Sequence, residues 1–162
     1  MTLPLRLEVQ ALSRSFGGRK VVDDVSLSVA AGQVTCLLGP SGCGKSTTLR
    51  MIAGVETPES GRIRIDGREV FAPGVNLPPE ARGVGLMFQD FALFPHLTVA
   101  GNVAFGLNCD KAAKAARVGE LLEKVNLCGF AGKHPHQLSG GEQQRVALAR
   151  ALAPDPKILL ID

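Results

Sequence analysis

An eight-residue stretch, residues 39–46, constrains this chain more than any other part of its sequence. It reads Gly-Pro-Ser-Gly-Cys-Gly-Lys-Ser and fits the pattern G-x-x-x-x-G-K-[ST], whose glycines permit positive φ and let backbone N–H groups close around a phosphate chain. The apolar residues 34–38 precede it, and residues 47–53 follow it without Gly or Pro as far as Gly54. We therefore predict a buried parallel strand, a phosphate-binding loop and a helix, in that order.

The side chains of this phosphate loop (residues 39–46) predict how it would bind its ligand. Lys45 is expected to reach the β- and γ-phosphates of a nucleotide, and the Ser46 hydroxyl is expected to ligate Mg²⁺. The helix that begins here directs the positive end of its dipole at the same place. The predicted nucleotide-binding residues of the loop and the first helical turn are Gly39, Pro40, Ser41, Gly42, Cys43, Gly44, Lys45, Ser46 and Thr47.

The bulk properties of the chain narrow its class. With 162 residues, 45% of them hydrophobic, it can form one domain with a core. A net charge of +3, without Trp, Tyr or a basic run interleaved with aromatic residues, gives no reason to expect nucleic acid as a partner. The sequence contains neither a signal peptide nor an apolar stretch of about 20 residues, so we expect a cytoplasmic protein docked on a membrane partner. Its four well-separated cysteines are expected to be free thiols.

Two N-terminal segments, residues 5–11 and 25–29, alternate apolar and polar side chains, and the pair Gly17 and Gly18 lies between them. This pattern predicts two half-buried antiparallel strands joined by a turn. Phe16 lies beside the turn, where its ring could stack on a base. Spacing alone leaves a core position as the other interpretation of Phe16, and favours it.

Three further segments follow the phosphate loop and its helix. Residues 62–66 alternate and predict a strand, whereas residues 71–82 are rich in Pro and polar side chains and predict a surface loop. Residues 84–88 predict a buried strand that ends at Gln89. Because ligands bind at the carboxyl ends of strands in open α/β sheets, Gln89 is placed to orient a metal or a water, and capping of a turn is the equally open alternative.

The region of about residues 91–136 predicts a helical insertion in an otherwise α/β chain. Thr98 is expected to cap a short helix through Phe105, and Asp110 is expected to open a longer one. Apolar residues in the longer helix recur at i, i+3, i+4 and i+7, a stripe that typically packs against a core. These residues are Val118, Leu121, Leu122 and Val125.

Residues 138–145, Leu-Ser-Gly-Gly-Glu-Gln-Gln-Arg, predict the start of another helix. Ser139 and Glu142 form a capping box, and the helix should run to about Ala153. Two glycines in a first turn, Gly140 and Gly141, each cost about 1 kcal/mol of helix propensity, so the cap alone does not explain them. Bare N–H groups at a helix N-terminus bind anions, which makes a second phosphate contact plausible here.

The chain ends with four apolar residues, 158–161, followed by Asp162. This pattern predicts a buried strand that delivers a carboxylate, the acidic partner that holds Mg²⁺ beside a phosphate loop.

Together these motifs resemble the ATP-binding subunits of ABC transporters, and residues 138–145 resemble the signature segment peculiar to that family. The resemblance implies that Phe16 is the aromatic residue that stacks on adenine, against the interpretation that spacing favours. It further implies that Lys45 and Gln89 are catalytic, and that Ser46, Gln89 and Asp162 hold the metal. The cofactors would be ATP and Mg²⁺, and the reaction would be hydrolysis of ATP to ADP and phosphate.

The same resemblance implies the partners. Two ATP-binding subunits would pair head to tail, so that Ser139, Gly140 and Gly141 contact the γ-phosphate held by the other copy. A transmembrane permease subunit would contact residues 91–98 at the cytoplasmic face of the membrane. The segments 76–80 and 91–99 look most like importers of ferric iron, polyamines, sugars or thiamine, and among these we favour ferric iron.

The implied fold is α/β, a P-loop NTPase (RecA-like) core with an N-terminal antiparallel β subdomain and a helical insertion. Within a partial ATP-binding domain of residues 1–162, we expect the core at about 1–90 and 154–162, and the helical subdomain at about 91–153. In the family a catalytic glutamate follows the aspartate directly, and a later strand completes the sheet, whereas this chain stops at Asp162. We therefore expect a truncated subunit with an incomplete sheet, which binds ATP weakly and hydrolyses it hardly at all. The alternatives are a non-catalytic nucleotide-binding module and a soluble P-loop ATPase unrelated to transport.

Overall fold

The computed structural model describes residues 4–162, so the first three residues of the predicted domain lie outside the described part. The chain forms two compact units, of which one extends to Val84 and includes Asp162, and the other is Gly85–Ile161. The boundaries of these two units do not test the functional division into ATP-binding core and helical subdomain, which stays a prediction. Among the described residues, no helix combines the length and the apolar character needed to cross a membrane.

The first unit is built on a five-stranded antiparallel sheet with the strand order β2-β1-β3-β4-β5. Its strands are Leu5–Phe16 (β1), Arg19–Ala30 (β2), Ser60–Ile65 (β3), Arg68–Ala72 (β4) and Val75–Asn76 (β5). The antiparallel pair that the N-terminal alternation predicts is confirmed, and the segment at residues 62–66 is a strand as expected.

The register of this sheet explains which side chains enter the core. Val9 of β1 lies opposite Leu27 on one side and Ile63 on the other, and alternate residues of a strand share one face. Val9 and Ile63 are buried accordingly. The α-helix of this unit, Lys45–Ala53 (α1), ends at Gly54 as predicted and buries the apolar side chains of its last turn, among them Met51.

The predicted surface loop at residues 71–82 is wrong in its first half. Phe71 and Ala72 are buried in β4, and β4 pairs with the short strand β5. Pro73 and Gly74 occupy only the tight turn between these strands, where Gly74 has a φ of 81°. Pro78 and Pro79 follow β5, in the half of the segment that is not a strand. At the other end, Arg82 is 3% exposed although its neighbours in sequence lie at the surface.

The predicted buried strand at residues 34–38 is also wrong. These residues form no strand with any part of residues 4–162, and Val34 and Leu38 are 94% and 91% exposed. An apolar run becomes a strand only where neighbouring strands satisfy its backbone N–H and C=O groups. Within the described part of the chain, no strand pairs with residues 34–38.

The second unit packs three helices around one apolar core. The helices are Val99–Ala104 (α2), Lys111–Lys124 (α3) and Gly140–Leu152 (α4). The predicted stripe of α3 is confirmed, because all its members belong to this core together with apolar side chains of α2 and α4. A two-stranded sheet, Val84–Met87 (β6) and Ile158–Ile161 (β7), completes the unit. Of β7 only Leu160 is buried, so the prediction of a fully buried strand is wrong there.

All three predicted helix caps are confirmed. The Thr98 hydroxyl accepts from Gly101 N at 3.1 Å, and Asp110 Oδ1 accepts from the first turn of α3 at 2.9 Å. Ser139 caps α4 with its reciprocal Glu142. Caps are predictable because they depend on neighbours three residues away and not on tertiary packing.

Candidate functional site

The phosphate loop is closely packed against the sheet of the first unit. Gly42 and Gly44 have φ values of 82° and 92°, a region that residues with a Cβ rarely adopt. A Cβ on Gly44 would lie 2.3 Å from the carbonyl oxygen of Val21 in β2. At this position the fold therefore requires glycine, whatever the ligand.

Lys45 turns its ammonium group back over the loop. Its Nζ donates to the carbonyl oxygens of Gly39 and Pro40, each at 2.8 Å, and lies 3.7 Å from Cys43 Sγ. The positive charge is thus held above the loop whose N–H groups precede α1. A cation, a helix N-terminus and a glycine-rich backbone in one place form an anion site of the kind that binds phosphate.

Ser46 and Asp162 meet beside the loop. The Ser46 hydroxyl donates to Asp162 Oδ1 at 2.5 Å, and Arg50 Nη2 lies 3.8 Å from Asp162 Oδ2. Asp162 Oδ2 is buried and has no hydrogen-bond partner within the described part of the chain. Two residues separated by 116 positions in sequence are therefore neighbours, as their predicted shared role requires.

The oxygens of this pair fit Mg²⁺. Mg²⁺ takes oxygen ligands, and protein sites commonly give it one or two side chains while phosphates and waters supply the rest. The unsatisfied oxygen of Asp162 is a free ligand for such an ion, and the Ser46 hydroxyl is the second. In residues 4–162 there is no group of three or more His, Cys, Asp or Glu that could hold a metal ion.

Phe16 ends β1 at the tip of the first hairpin. It is 44% exposed, so it is not the core residue that spacing favours. The turn that follows uses Gly17 and Gly18 with φ values of 56° and 78°. A half-exposed aromatic ring at a hairpin tip suits the stacking role that the family resemblance implies, which stays a prediction.

The signature segment (residues 138–145) lies in the second unit and opens α4. Glu142 Oε2 accepts from Ser139 N at 2.7 Å and from Ser139 Oγ at 2.8 Å. These bonds, first the backbone N–H and then the hydroxyl, lower the pKa of Glu142, and the charges of Lys133 and Arg145 add to the effect. The carboxylate thereby fixes the Ser139 side chain at the helix N-terminus.

Gly140 and Gly141 are not explained by packing. Neither has a left-handed φ, and a Cβ on either would meet nothing within 4 Å among the described residues. Because the fold has room for a side chain at both positions, the glycines keep this helix N-terminus open to an approaching group.

Gln89 is exposed directly after β6, at the start of a strained turn. Phe91 and Ala92 have φ values of 60° and 44° although neither is glycine, which costs of order 1 kcal/mol or more each. Arg150 of α4 donates to their carbonyl oxygens at 2.9 and 2.6 Å. The turn after Gln89 is thus held by the same helix that begins at the signature segment.

Arg150 was not predicted from sequence. Burial lowers its pKa, and the charge of Asp90 partly counteracts this. Its guanidinium also lies 5.4 Å from the centroid of the Phe94 ring. The sequence signal for its role in holding the turn after Gln89 is the position of an arginine on the apolar side of a predicted helix.

Asn102 is a second residue that the sequence reading missed. It is fully buried in α2. Its Oδ1 accepts from Phe94 N at 2.8 Å, and its Nδ2 donates to the carbonyl oxygens of Phe94 and Thr98 at 3.1 Å. This one amide shapes residues 94–98, the segment predicted to face a permease. A polar residue inside an apolar helical stripe is the signal that could have revealed it.

Arg82 is a third. Its guanidinium donates to the carbonyl oxygens of Met51 and Ile52 at 2.8 and 3.1 Å, at the C-terminal end of α1, and burial lowers its pKa. A Cβ on Gly54 would lie 2.5 Å from Arg82 Nε. The cation complements the negative end of the helix dipole, at the opposite end of α1 from the phosphate loop.

The structure brings together part of the predicted site within each unit. The first unit joins the phosphate loop, Ser46 and Asp162, and it carries Phe16 at the tip of its hairpin. The second unit joins the turn after Gln89 to the helix of the signature segment through Arg150.

Comparison with known proteins is consistent with this geometry. The family described as ABC transporter matches residues 22–162. A sulfate/thiosulfate import ATP-binding protein of Chromobacterium violaceum is 54% identical over 96% of this chain. A putrescine transport ATP-binding protein of Escherichia coli is 52% identical over 96% of the chain, and an Fe(3+) ions import ATP-binding protein of Streptomyces coelicolor is 53% identical over 98%. The chain spans only 42%, 41% and 45% of these three relatives.

A solved structure agrees in fold. The dimeric ATP-binding cassette MJ0796, in a post-hydrolysis state with ADP and Pi, superposes with a TM-score of 0.82 at 32% identity, covering 96% of this chain and 73% of that one. The P-loop NTPase fold predicted from sequence is thus confirmed. With a family match over most of its length, the chain belongs to the ATP-binding domains of ABC transporters.

Proposed function

We propose that the protein that carries this chain is the ATP-binding subunit of an ABC importer, and that it hydrolyses ATP to drive solute uptake. The observation that carries the proposal is the pairing of Ser46 with Asp162 at the start of α1. The pair offers two oxygens for a metal, and the residue before Ser46, Lys45, holds its ammonium group over the phosphate loop. The names of the relatives support the import role, and the signature segment supports the ABC type of site over other P-loop ATPases.

The chemistry asked of these residues is mainly electrostatic. The N–H groups of the phosphate loop and the Lys45 ammonium would bind the β- and γ-phosphates and stabilise the charge that gathers on them during water attack. Ser46 and Asp162 would hold Mg²⁺, which when bound neutralises phosphate charge. Gln89 would orient the metal or the attacking water, and Phe16 would stack on the adenine.

A second copy would complete the site. The open helix N-terminus at Gly140 and Gly141 supports this, because a γ-phosphate held by the other subunit could approach both N–H groups without meeting a side chain. Ser139 would add its hydroxyl from a position fixed by Glu142. The dimeric state of the cassette MJ0796 supports pairing of two subunits, and the head-to-tail arrangement is part of the proposal.

A permease would contact residues 91–98 and hold the subunit at the cytoplasmic face of the membrane. The internal bonding of this segment supports the assignment, because Asn102 fixes its backbone and leaves Pro95 and His96 exposed. The solute is less constrained. Relatives of nearly equal identity import sulfate, polyamines and ferric iron, so import of ferric iron, which the sequence favours, is a proposal to be tested by transport.

ATP hydrolysis and uptake by the full-length protein, reconstituted with its permease in liposomes, test the proposal. We expect ATP-dependent uptake that Lys45→Ala abolishes. Lys111→Ala is the matched control, since Lys111 lies at the start of α3 in the other unit, and it should leave uptake unchanged.

Other outcomes distinguish the alternatives. ATP binding that Lys45→Ala removes, without turnover in the full-length protein, would favour the non-catalytic module. Turnover that never depends on a permease or supports uptake would favour a soluble ATPase. Absence of ATP binding would overturn the proposed function altogether.

A further inference from the structure

The aromatic ring of Phe16 has a cation over one face. The Cζ atom of Arg14 lies 4.9 Å from the ring centroid, within the range of about 6 Å in which guanidinium and ring attract each other. The two residues are separated by one position on β1, which places both side chains on the same side of the strand. Since Phe16 remains 44% exposed with the guanidinium over its ring, part of the side chain is available to a ligand.

Arg14 is itself held by acidic residues that follow α1. Its Nη2 lies 2.6 Å from Glu56 Oε1, and its Nη1 lies 4.0 Å from Glu59 Oε1. The side chains of Arg14 and Glu56 are 26% and 27% exposed, so the pair is shielded more than an ordinary surface ion pair. Arg14 Nε is buried and has no hydrogen-bond partner among the described residues, so the guanidinium is anchored through its Nη atoms.

These contacts connect the two ends of a nucleotide site. Glu56 N donates to the Arg50 carbonyl oxygen at 3.2 Å, so Glu56 is attached to the end of the helix that begins at the phosphate loop. The loop, α1, Glu56, Arg14 and the ring of Phe16 thus form one continuous chain of contacts within the first unit. The distance between a bound phosphate and the ring would be set through it.

We infer that Arg14 is a positioning residue for base recognition, which fixes the plane of the Phe16 ring so that an adenine base is sandwiched against it on the face opposite the guanidinium. This inference rests on the proposed function. An aromatic residue at a hairpin tip has few neighbours to fix its rotamer, and the guanidinium, anchored by Glu56, replaces them. Ordering the ring before binding spares a ligand the entropy of ordering it.

The inference is tested with the full-length protein by measuring affinity for ATP and for inorganic tripolyphosphate, which has no base. Phe16→Leu should weaken ATP binding about tenfold and leave tripolyphosphate binding unchanged, because stacking on a base is worth about five- to 100-fold in affinity. Arg14→Gln should weaken ATP binding about two- to fivefold, again without an effect on tripolyphosphate. Arg14→Lys, which keeps a cation, should recover part of the loss.

Two comparisons separate positioning from general support of the fold. In the Phe16→Leu background, Arg14→Gln should have no further effect on ATP affinity, because there is no ring to position. The fluorescence of etheno-ATP, which reports stacking of its base, should change less on binding to Arg14→Gln than to wild type. Arg6→Gln is the matched control, since Arg6 lies on the same strand and pairs with Asp66 at 2.7 Å with a side chain 33% exposed. This substitution should leave the affinity for both ligands unchanged.

Several results would overturn the inference. Tighter ATP binding by Arg14→Gln would mean that the guanidinium occupies the place of the base. If Arg14→Gln weakened tripolyphosphate binding as much as ATP binding, Arg14 would only support the fold. The same would follow if Arg14→Gln weakened ATP binding equally in the Phe16→Leu background. If Phe16→Leu weakens ATP binding and Arg14→Gln does not, this inference fails alone, whereas the absence of binding of either ligand by wild type rejects the proposed function.

Discussion

The phosphate loop and the signature segment both contain glycines, but for opposite reasons. In the loop, a Cβ on Gly44 would lie 2.3 Å from the Val21 carbonyl oxygen, at a φ of 92°. In the signature segment, Gly140 and Gly141 have ordinary φ values and meet nothing within 4 Å among the described residues. The chain's own fold demands glycine in the first case. In the second only a group from outside would demand it, so the two regions can be separated by experiment.

Gly44→Ala has the largest expected effect. Overpacking against β2 together with a left-handed alanine should lower the free energy of unfolding by about 2 to 4 kcal/mol and remove detectable ATP binding. Denaturant unfolding and titration calorimetry of the full-length protein measure both. Gly119→Ala is the control, since Gly119 lies within α3 with open space around it in the described chain, and it should stabilise by up to about 1 kcal/mol. A Gly44→Ala protein as stable as wild type would contradict the packing argument.

Arg82→Met tests whether the C-terminal end of α1 contributes to the free energy of unfolding as the phosphate loop at its other end does. The substitution removes the guanidinium donors from the carbonyl oxygens of Ile52 and of Met51, which still accepts from Gly54 N. We expect a loss of about 1 to 3 kcal/mol in the free energy of unfolding. Arg62→Met is the control, because Arg62 pairs with Glu69 at the surface with a side chain 46% exposed, and it should cost less than about 0.5 kcal/mol. Equal midpoints of urea unfolding for the two variants would show that burial of Arg82 contributes nothing.

Gly141→Ala should leave stability unchanged or raise it slightly, by less than about 1 kcal/mol, because its surroundings are open. If a phosphate on a second subunit approaches this turn, ATP hydrolysis should nevertheless fall at least about tenfold, since a methyl group would displace the approaching oxygen. Steady-state ATPase assays and thermal unfolding of the same sample separate the two effects. A parallel loss of stability would place Gly141 in the same class as Gly44.

Glu142→Gln has the smallest expected effect, and that effect depends on pH. The folded-state pKa of Glu142 is lowered below its ordinary 4.5 by the bonds from Ser139, so its contribution to stability is present above the unfolded pKa and is lost as pH falls through the folded one. The stability difference between wild type and Glu142→Gln should therefore be small at neutral pH and vanish in acid. Urea midpoints measured across that range check it. A difference that grows as pH falls would contradict the assigned direction.

Local signals predicted the helices and their caps better than they predicted the sheet. The glycine pattern of the loop, the caps Thr98, Asp110 and Ser139 and the stripe of α3 all depend on residues within a turn or two of each other, and the structure has them as expected. The strand at residues 34–38 failed because strand formation depends on partners far away in sequence. The surface loop predicted from residue 71 failed for a related reason, because β4 is buried only as part of the sheet, paired with β3 and β5.

The three arginines at the centre of these contacts had almost no sequence signal. Arg14, Arg82 and Arg150 each act through an acceptor or a ring that the fold brings near, namely Glu56, the end of α1 and the strained turn after Gln89. A guanidinium on a long side chain finds its partners only after the backbone has been placed. From composition and periodicity alone, such arginines are predicted to be solvated surface charges.

The sequence by itself determined the phosphate loop, the capped helices, the signature segment and hence the family, because each is written in residues whose chemistry acts over a few positions. Only the tertiary structure decided that Ser46 meets Asp162, that Phe16 lies at the surface beneath Arg14, and that Gly140 and Gly141 have room for a side chain. Contacts between distant residues depend on how the elements pack, and open space around a residue is a property of packing alone.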